Sequence, residues 1–282
     1  MKKLSKILVI ALVVATLAGA CVAFAACDKN DDTIVVYTNA FFAPFEYYEG
    51  TNIVGVDIDI MNKVGERMGR DVEFKNVEFG VIIDEVSSGK MCDVGAAGIT
   101  WTEGRAEKVA FSVPYYNAVQ YVIFAEGSIE TSKNAAGDDV VMWSALAGKK
   151  IGVQLDTTGD IFVGAELEED EEGKAGAIQD TGAEKVQYKN AQLAVESLGT
   201  QLDVVVIDEL PAQYLTKNNN YVALPLWYDA NTATEEEYCI AVNKGQTELL
   251  ENINAVLNEM LADVNTDGDN AIEVLVKQHF GL

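Results

Sequence analysis

From residue 33 onward, short β-rich runs alternate with segments of helical period, and the alternation occurs twice. The first set reads strand TIVVYT, a helix over 56–68, strand VEFKNV, a helix over 81–88 and strand DVGAAGI. The second reads strand KIGVQL, a helix over 160–168, strand KVQY, a helix over 191–198 and strand LDVVVID. Strand, helix and strand in succession make a crossover between parallel neighbours, so each set predicts a mostly parallel sheet flanked by helices. The recurrence predicts an α/β protein of two lobes.

Two further apolar runs connect the sets. YVIFAEGS, 121–128, leaves the first, and YCIAVNKG, 238–245, follows the second and precedes two final helices. The shortest topology has a first lobe of 33–124 plus 238–282 and a second of 125–237. Two crossing strands would make a hinge with a cleft beside it.

Residues 1–27 stand apart from this pattern: Lys2, Lys3 and Lys6, an uncharged apolar run from Ile7 to Ala26, then Cys27 and DKNDD. They read as an export segment, with a retained membrane helix as the alternative. Ala25 and Ala26 before Cys27 favour cleavage and lipid attachment at that cysteine, as in a bacterial lipoprotein leader; Cys21 is the rival position. Such a protein would sit on the outer face of the cell membrane, held by lipid. The chain has 20 Lys and Arg against 45 Asp and Glu. That balance repels phosphate backbones and argues against nucleic-acid binding.

Past the leader only Cys92 and Cys239 remain, read as two buried thiols although a disulfide is allowed outside the cytoplasm. His279, near the C-terminus, is a poor candidate for a catalyst. The acidic run ELEEDEE, 166–172, reads as a solvated helix end and loop. DVNTDGDNAIEV, 263–274, begins like a calcium loop but has Val274 where a bidentate glutamate is required, so it reads as a turn. No metal or cofactor is expected.

Ligands of open α/β sheets bind beyond the carboxyl ends of the strands. After TIVVYT comes NAFFAPFEYYEG, with five aromatics from Phe41 to Tyr48. After DVGAAGI come Thr100, Thr102 and Arg105, the last in the first turn of a helix that Thr102 caps. DTTG follows KIGVQL, and Asp208 ends LDVVVID. Each group has an ordinary structural use. Together they offer a guanidinium fork and hydroxyls for a carboxylate, an aspartate for an ammonium, and aromatic faces for an aliphatic or amide body. A free α-amino acid has that inventory.

FAPFEYYEG with VGVDIDI, AGITWTEGRAEKVAFSVPYY, GKKIGVQLDTTGD, LDVVVIDELPAQY and EYCIAVNKG occur in this order. With them the chain resembles the family 3 extracellular solute-binding proteins, the amino-acid receptors of ABC importers, over essentially its mature length. The resemblance implies a two-lobe periplasmic-binding-protein-like fold, a monomer that closes around a free amino acid, and delivery to a membrane permease. It implies that Arg105 pairs with the ligand carboxylate. Thr100 and the backbone around Gly98 would receive carboxylate and ammonium, Thr158 would close on the carboxylate, and Asp208 would take the ammonium. Phe42 would form an aromatic lid opposite Phe79, and Asn39 and Gln154 would face the ligand side chain. Asn39 replaces a frequent aspartate, which points to a polar, uncharged ligand of glutamine or cystine type. Asp156 replaces a glycine of the usual loop, Trp101 a common isoleucine and Cys239 a hinge glycine. Trp101 reads as a packing residue, since strand alternation turns it from the face of Thr100.

Two other readings share the fold. A dehydratase of cyclic amino-acid precursors would need a placed general acid or base. A ligand-sensing protein could serve a signalling receptor.

Overall fold

A computed structural model describes residues 32–281. The leader and Cys27 lie outside the described residues.

The run DVVVID explains the second lobe. In strand Val204–Asp208, Val204 and Val206 join one apolar core, while Val205 and Ile207 join another on the opposite face. A strand buried on both faces needs a continuous apolar run, which is what this segment supplies. Its neighbours Lys150–Gln154 and Glu184–Tyr188 run parallel in register, with Ile151 opposite Val204 and Gln154 opposite Tyr188. Helices Thr158–Leu167 and Ala191–Glu196 cover this sheet, the first beginning two residues earlier than its pattern suggested. The Thr157 and Asn190 side chains cap them by accepting from Asp160 N and Leu193 N.

The first lobe is a five-stranded sheet ordered Asp71–Asn76, Thr33–Thr38, Val94–Gly95, Ala241–Val242, Ala110–Phe111. Helix Val56–Met68 packs Ile60, Met61 and Val64 against Ile34, Val36 and the C-terminal helices Thr247–Ala262 and Ala271–Phe280. His279 takes part structurally: its Nε2 meets Asp59 at 2.9 Å and its Nδ1 meets the Tyr47 hydroxyl at 3.2 Å.

The parallel centre of each sheet carries antiparallel neighbours, and these come from the crossing segments. Tyr116–Ala125, ten residues long, pairs antiparallel with Val204–Asp208, Tyr221–Asp229 and Glu235–Tyr238. A chain that returns from the other lobe arrives from the opposite direction, so its strands must run antiparallel. The return segment is broken at Cys239–Ile240, where Cys239 N donates to Ile99 O and Ile240 N to Ser112 Oγ. DVGAAGI is a strand only at Val94–Gly95. Beyond it Gly98 turns left-handed at φ 52° and gives its N–H to Asp57.

Cys92 and Cys239 are both buried, and no disulfide joins them. The 263–274 segment is a turn: Asn265 accepts the N–H groups of Asp267 and Asp269, and Asn270 caps the last helix in a capping box with Glu273. Trp101 does not pack; it is 50% exposed. Its backbone N–H bonds to Glu237 O and leaves the indole at the surface.

Candidate functional site

The turn after each central strand opens on one cavity. Asn39, Phe42, Phe79, Gly98 and Thr100 line it from the first lobe, and Gln154, Thr158 and Asp208 from the second. Eight of the nine side chains and backbone groups expected from sequence thus converge there. Glu46, Ala97 and Thr157 complete the lining.

The ninth, Arg105, is displaced to the outside of this lining. Its Nη1 donates to Thr100 O at 2.8 Å and its Nη2 to Asp156 O at 2.9 Å, while the guanidinium carbon lies 5.4 Å from the centre of the Phe79 ring. The fork therefore ties a carbonyl of each lobe together beside the cavity. Thr102 caps its short helix, as expected, by accepting from Arg105 N. Burial lowers the pKa of Arg105, opposed by the charges of Glu236, Asp208 and Asp156.

At one wall the Asn39 amide gives Nδ2 to Val77 O and receives Gln154 Nε2 on its oxygen at 3.1 Å. This neutral amide pair crosses between the lobes. Gly98 is confined by the aromatic lid, since a Cβ there would stand 2.6 Å from the Phe42 ring. Phe42 in turn leans on Phe45 and Tyr238 at 6.0 and 6.2 Å between centroids.

At the floor, Asp208 is joined to a second carboxylate, Glu236, that sequence reasoning did not single out. Register sets Asp208 opposite Gln120, whose Nε2 donates to Asp208 Oδ1 and to Glu236 Oε1, each at 2.6 Å. Tyr238 donates its hydroxyl to the other Asp208 oxygen. Thr100 and Thr158 both donate to Glu236 Oε2, at 2.5 and 2.6 Å. Burial, and then the charge of Glu236, hold the Asp208 carboxyl well above the usual carboxylate range; the bonds from Tyr238 and Gln120 oppose this.

Behind Gly98 lies a second acidic pair. Asp57 accepts from Tyr115 OH at 2.6 Å and Gly98 N at 2.9 Å, and burial raises its pKa to about 6 despite these bonds. Fully buried Glu46 meets no N–H or O–H donor at either oxygen. Burial first, then the charge of Asp57, push the pKa of Glu46 well above the usual carboxylate range.

Glu236, which sequence reasoning missed, had one available signal. TEEEY reads as an exposed acidic run, yet a strand turns alternate residues inward, and Glu235, Glu236, Glu237 and Tyr238 are exposed, buried, exposed and buried. A wider surface groove among Phe41, Tyr47, Tyr48, Gln192 and Tyr214 carries no Asp, Glu, Lys or Arg and so offers no charge to a zwitterion.

The model of the bacterial extracellular solute-binding proteins, family 3, matches residues 34–268. The arginine-binding extracellular protein ArtP of Bacillus subtilis is 28% identical over 94% of this chain and 96% of its own. The L-cystine-binding protein TcyJ of Escherichia coli is 24% identical over 90% and 84%. Among solved structures, an ancestral arginine-binding protein bound to glutamine superposes with a TM-score of 0.70 at 31% identity, covering 89% of this chain and 99% of that one. These similar proteins are named for binding rather than for catalysis.

Proposed function

The chain belongs to the bacterial extracellular solute-binding proteins, family 3, and on that footing we propose that it is the receptor of an ABC importer for a polar, uncharged amino acid of glutamine or cystine type. The observation that carries this reading is a cavity lined from both lobes, with Asp208 at its floor, Phe42 and Phe79 on its walls and Thr158 in the first helical turn facing Thr100. Asp208 would take the ligand ammonium. The first turn of helix Thr158–Leu167 has backbone N–H groups without helical partners, suited with Arg105 to a carboxylate. The Asn39–Gln154 amide pair supports a ligand side chain that is polar without being charged.

The cavity of about 20 Å³ has room for roughly one water, far less than an amino acid. Ligand entry thus requires the lobes to part, about the two crossing strands, between a first lobe of 33–124 plus 238–282 and a second of 125–237. Contacts between Gln154 and Asn39, Arg105 and Asp156, and Lys189 and Glu78 are those a hinge motion would break. A ligand that touches both lobes favours the closed form because it binds that form better. The closed monomer would then present its cargo to a permease, while lipid on Cys27 keeps it at the outer face of the membrane.

The test is a thermal-shift screen of the twenty amino acids with cystine and ornithine on the chain lacking its first 27 residues. An amino acid at 100 times its dissociation constant is expected to stabilise the protein by about 2.7 kcal/mol. Stabilisation by none of them would overturn the amino-acid assignment; stabilisation by arginine, lysine or ornithine alone would overturn the uncharged side chain.

A further inference from the structure

A threonine hydroxyl has one hydrogen to give and two lone pairs with which to receive. Thr100 and Thr158, from opposite lobes, both line the cavity, and both direct that hydrogen at Glu236 Oε2. Their own separation of 3.3 Å is longer than either bond to the carboxylate. As a carboxylate, Glu236 only accepts. Both hydroxyl hydrogens are therefore committed, and lone pairs are what the two threonines have left for a ligand.

Glu236 is 5% exposed and is not part of the lining. Its position is set by the backbone: it stands opposite Ala118 in the strand pair, while Thr100 is bridged to Tyr238 two residues on. Its other oxygen receives Gln120 Nε2, which also serves Asp208. We propose that Glu236 is a positioning residue that fixes the hydrogen-bond polarity of the cleft floor, turning Thr100 and Thr158 into paired acceptors for a ligand α-ammonium. With Asp208 they make three acceptor groups for the three hydrogens of that ammonium. The ligand carboxylate is left to Arg105 and the helix N-terminus, so the Thr158 hydroxyl serves the ammonium and its backbone serves the carboxylate. This deepens the amino-acid-binding reading and rests on it.

Glu236→Gln tests the assignment with little change of shape. The new amide must turn its oxygen to Gln120 Nε2, because two N–H donors cannot face each other; its NH₂ then faces the threonines and releases their hydrogens toward the cavity. Calorimetry would use L-glutamine, L-arginine and L-cystine, each beside its deaminated carboxylic analogue. Loss of a hydrogen-bonded charge contact is expected to weaken amino acids on the order of 10- to 100-fold and the analogues much less. Glu237→Gln, on the exposed face of the same strand, should change neither. Thr158→Val reads the polarity with Glu236 itself unsubstituted, and keeps the test open if Glu236→Gln does not fold: only the amino acids should weaken. Equal losses for amino acid and analogue in either Glu236→Gln or Thr158→Val would overturn the polarity assignment while leaving amino-acid binding intact. Failure of the unsubstituted protein to bind any of the twenty amino acids or cystine would overturn both.

Discussion

Asp156 holds its backbone at φ 65°, the left-handed region that suits glycine and, less well, Asp and Asn. The position asks for this turn because Asp156 O must reach Arg105 and Asp156 N must reach Asp160 Oδ2 at 2.9 Å. Its own side chain is exposed and lies over Gly80. Asp156→Gly is therefore expected to leave stability within about 0.5 kcal/mol, while the branched Asp156→Val should cost about 1–2 kcal/mol. Urea unfolding of the two variants measures this, and equal midpoints would contradict it. The aspartate in DTTG was legible as a departure from a glycine; that it simply adopts the glycine conformation was not, since φ is decided by the partners at both ends of the turn. Glu236 was hidden for a different reason. Three glutamates in a row look like a solvated face until a strand is known to run through them.

At the scale of elements, the loop between Gly95 and Thr100 connects the two acidic clusters. Gly98 receives the Phe42 ring on the side where any other residue would place Cβ, and its N–H is spent on Asp57. Gly98→Ala should cost about 1–3 kcal/mol through the left-handed backbone and the displaced ring. Guanidinium unfolding should show it as a lower midpoint; an unchanged midpoint would mean that the loop yields freely. Central strands and helices were readable here from period alone, because Val204–Asp208 and Val56–Met68 each repeat one environment along their length. Short strands such as Val94–Gly95 and Ala241–Val242 were read too long. Their ends are fixed by distant hydrogen bonds, from Gly98 N to Asp57 and from Ile240 N to Ser112 Oγ, which no local pattern encodes.

For the whole molecule, buried acids and net charge act together. Asp57, Glu46 and Asp208 all have pKa values raised by burial. A raised acid binds its proton more tightly in the folded state, so its stabilisation is complete below the ordinary carboxylate range and is lost as pH rises through the folded value. For Asp57 that window runs from 3.8 to about 6, and the two others extend it upward. The Asp57 contribution alone is on the order of 3 kcal/mol. A formal charge of −25 adds repulsion of the same sign. The melting temperature is expected to rise as pH falls from about 8 to about 5, and to keep most of that rise in roughly 0.5 M salt, where surface repulsion is screened. Scanning calorimetry that finds the salt-free rise abolished by salt would assign it to surface charge instead.

The two-lobe α/β fold and eight of the nine residues expected around the cavity could be read from the sequence alone. Each depends on a local regularity: strand and helix period, a cap, or a polar residue where an apolar run ends. The tertiary structure decided that Arg105 bridges two carbonyls beside the cavity, that Trp101 faces solvent, and that Glu236 rather than open space meets the threonine hydroxyls. These outcomes join residues separated by between 5 and 136 positions. What a donor does depends on which acceptor lies nearest once the strands have paired, and in this protein that pairing runs across two lobes and a return strand.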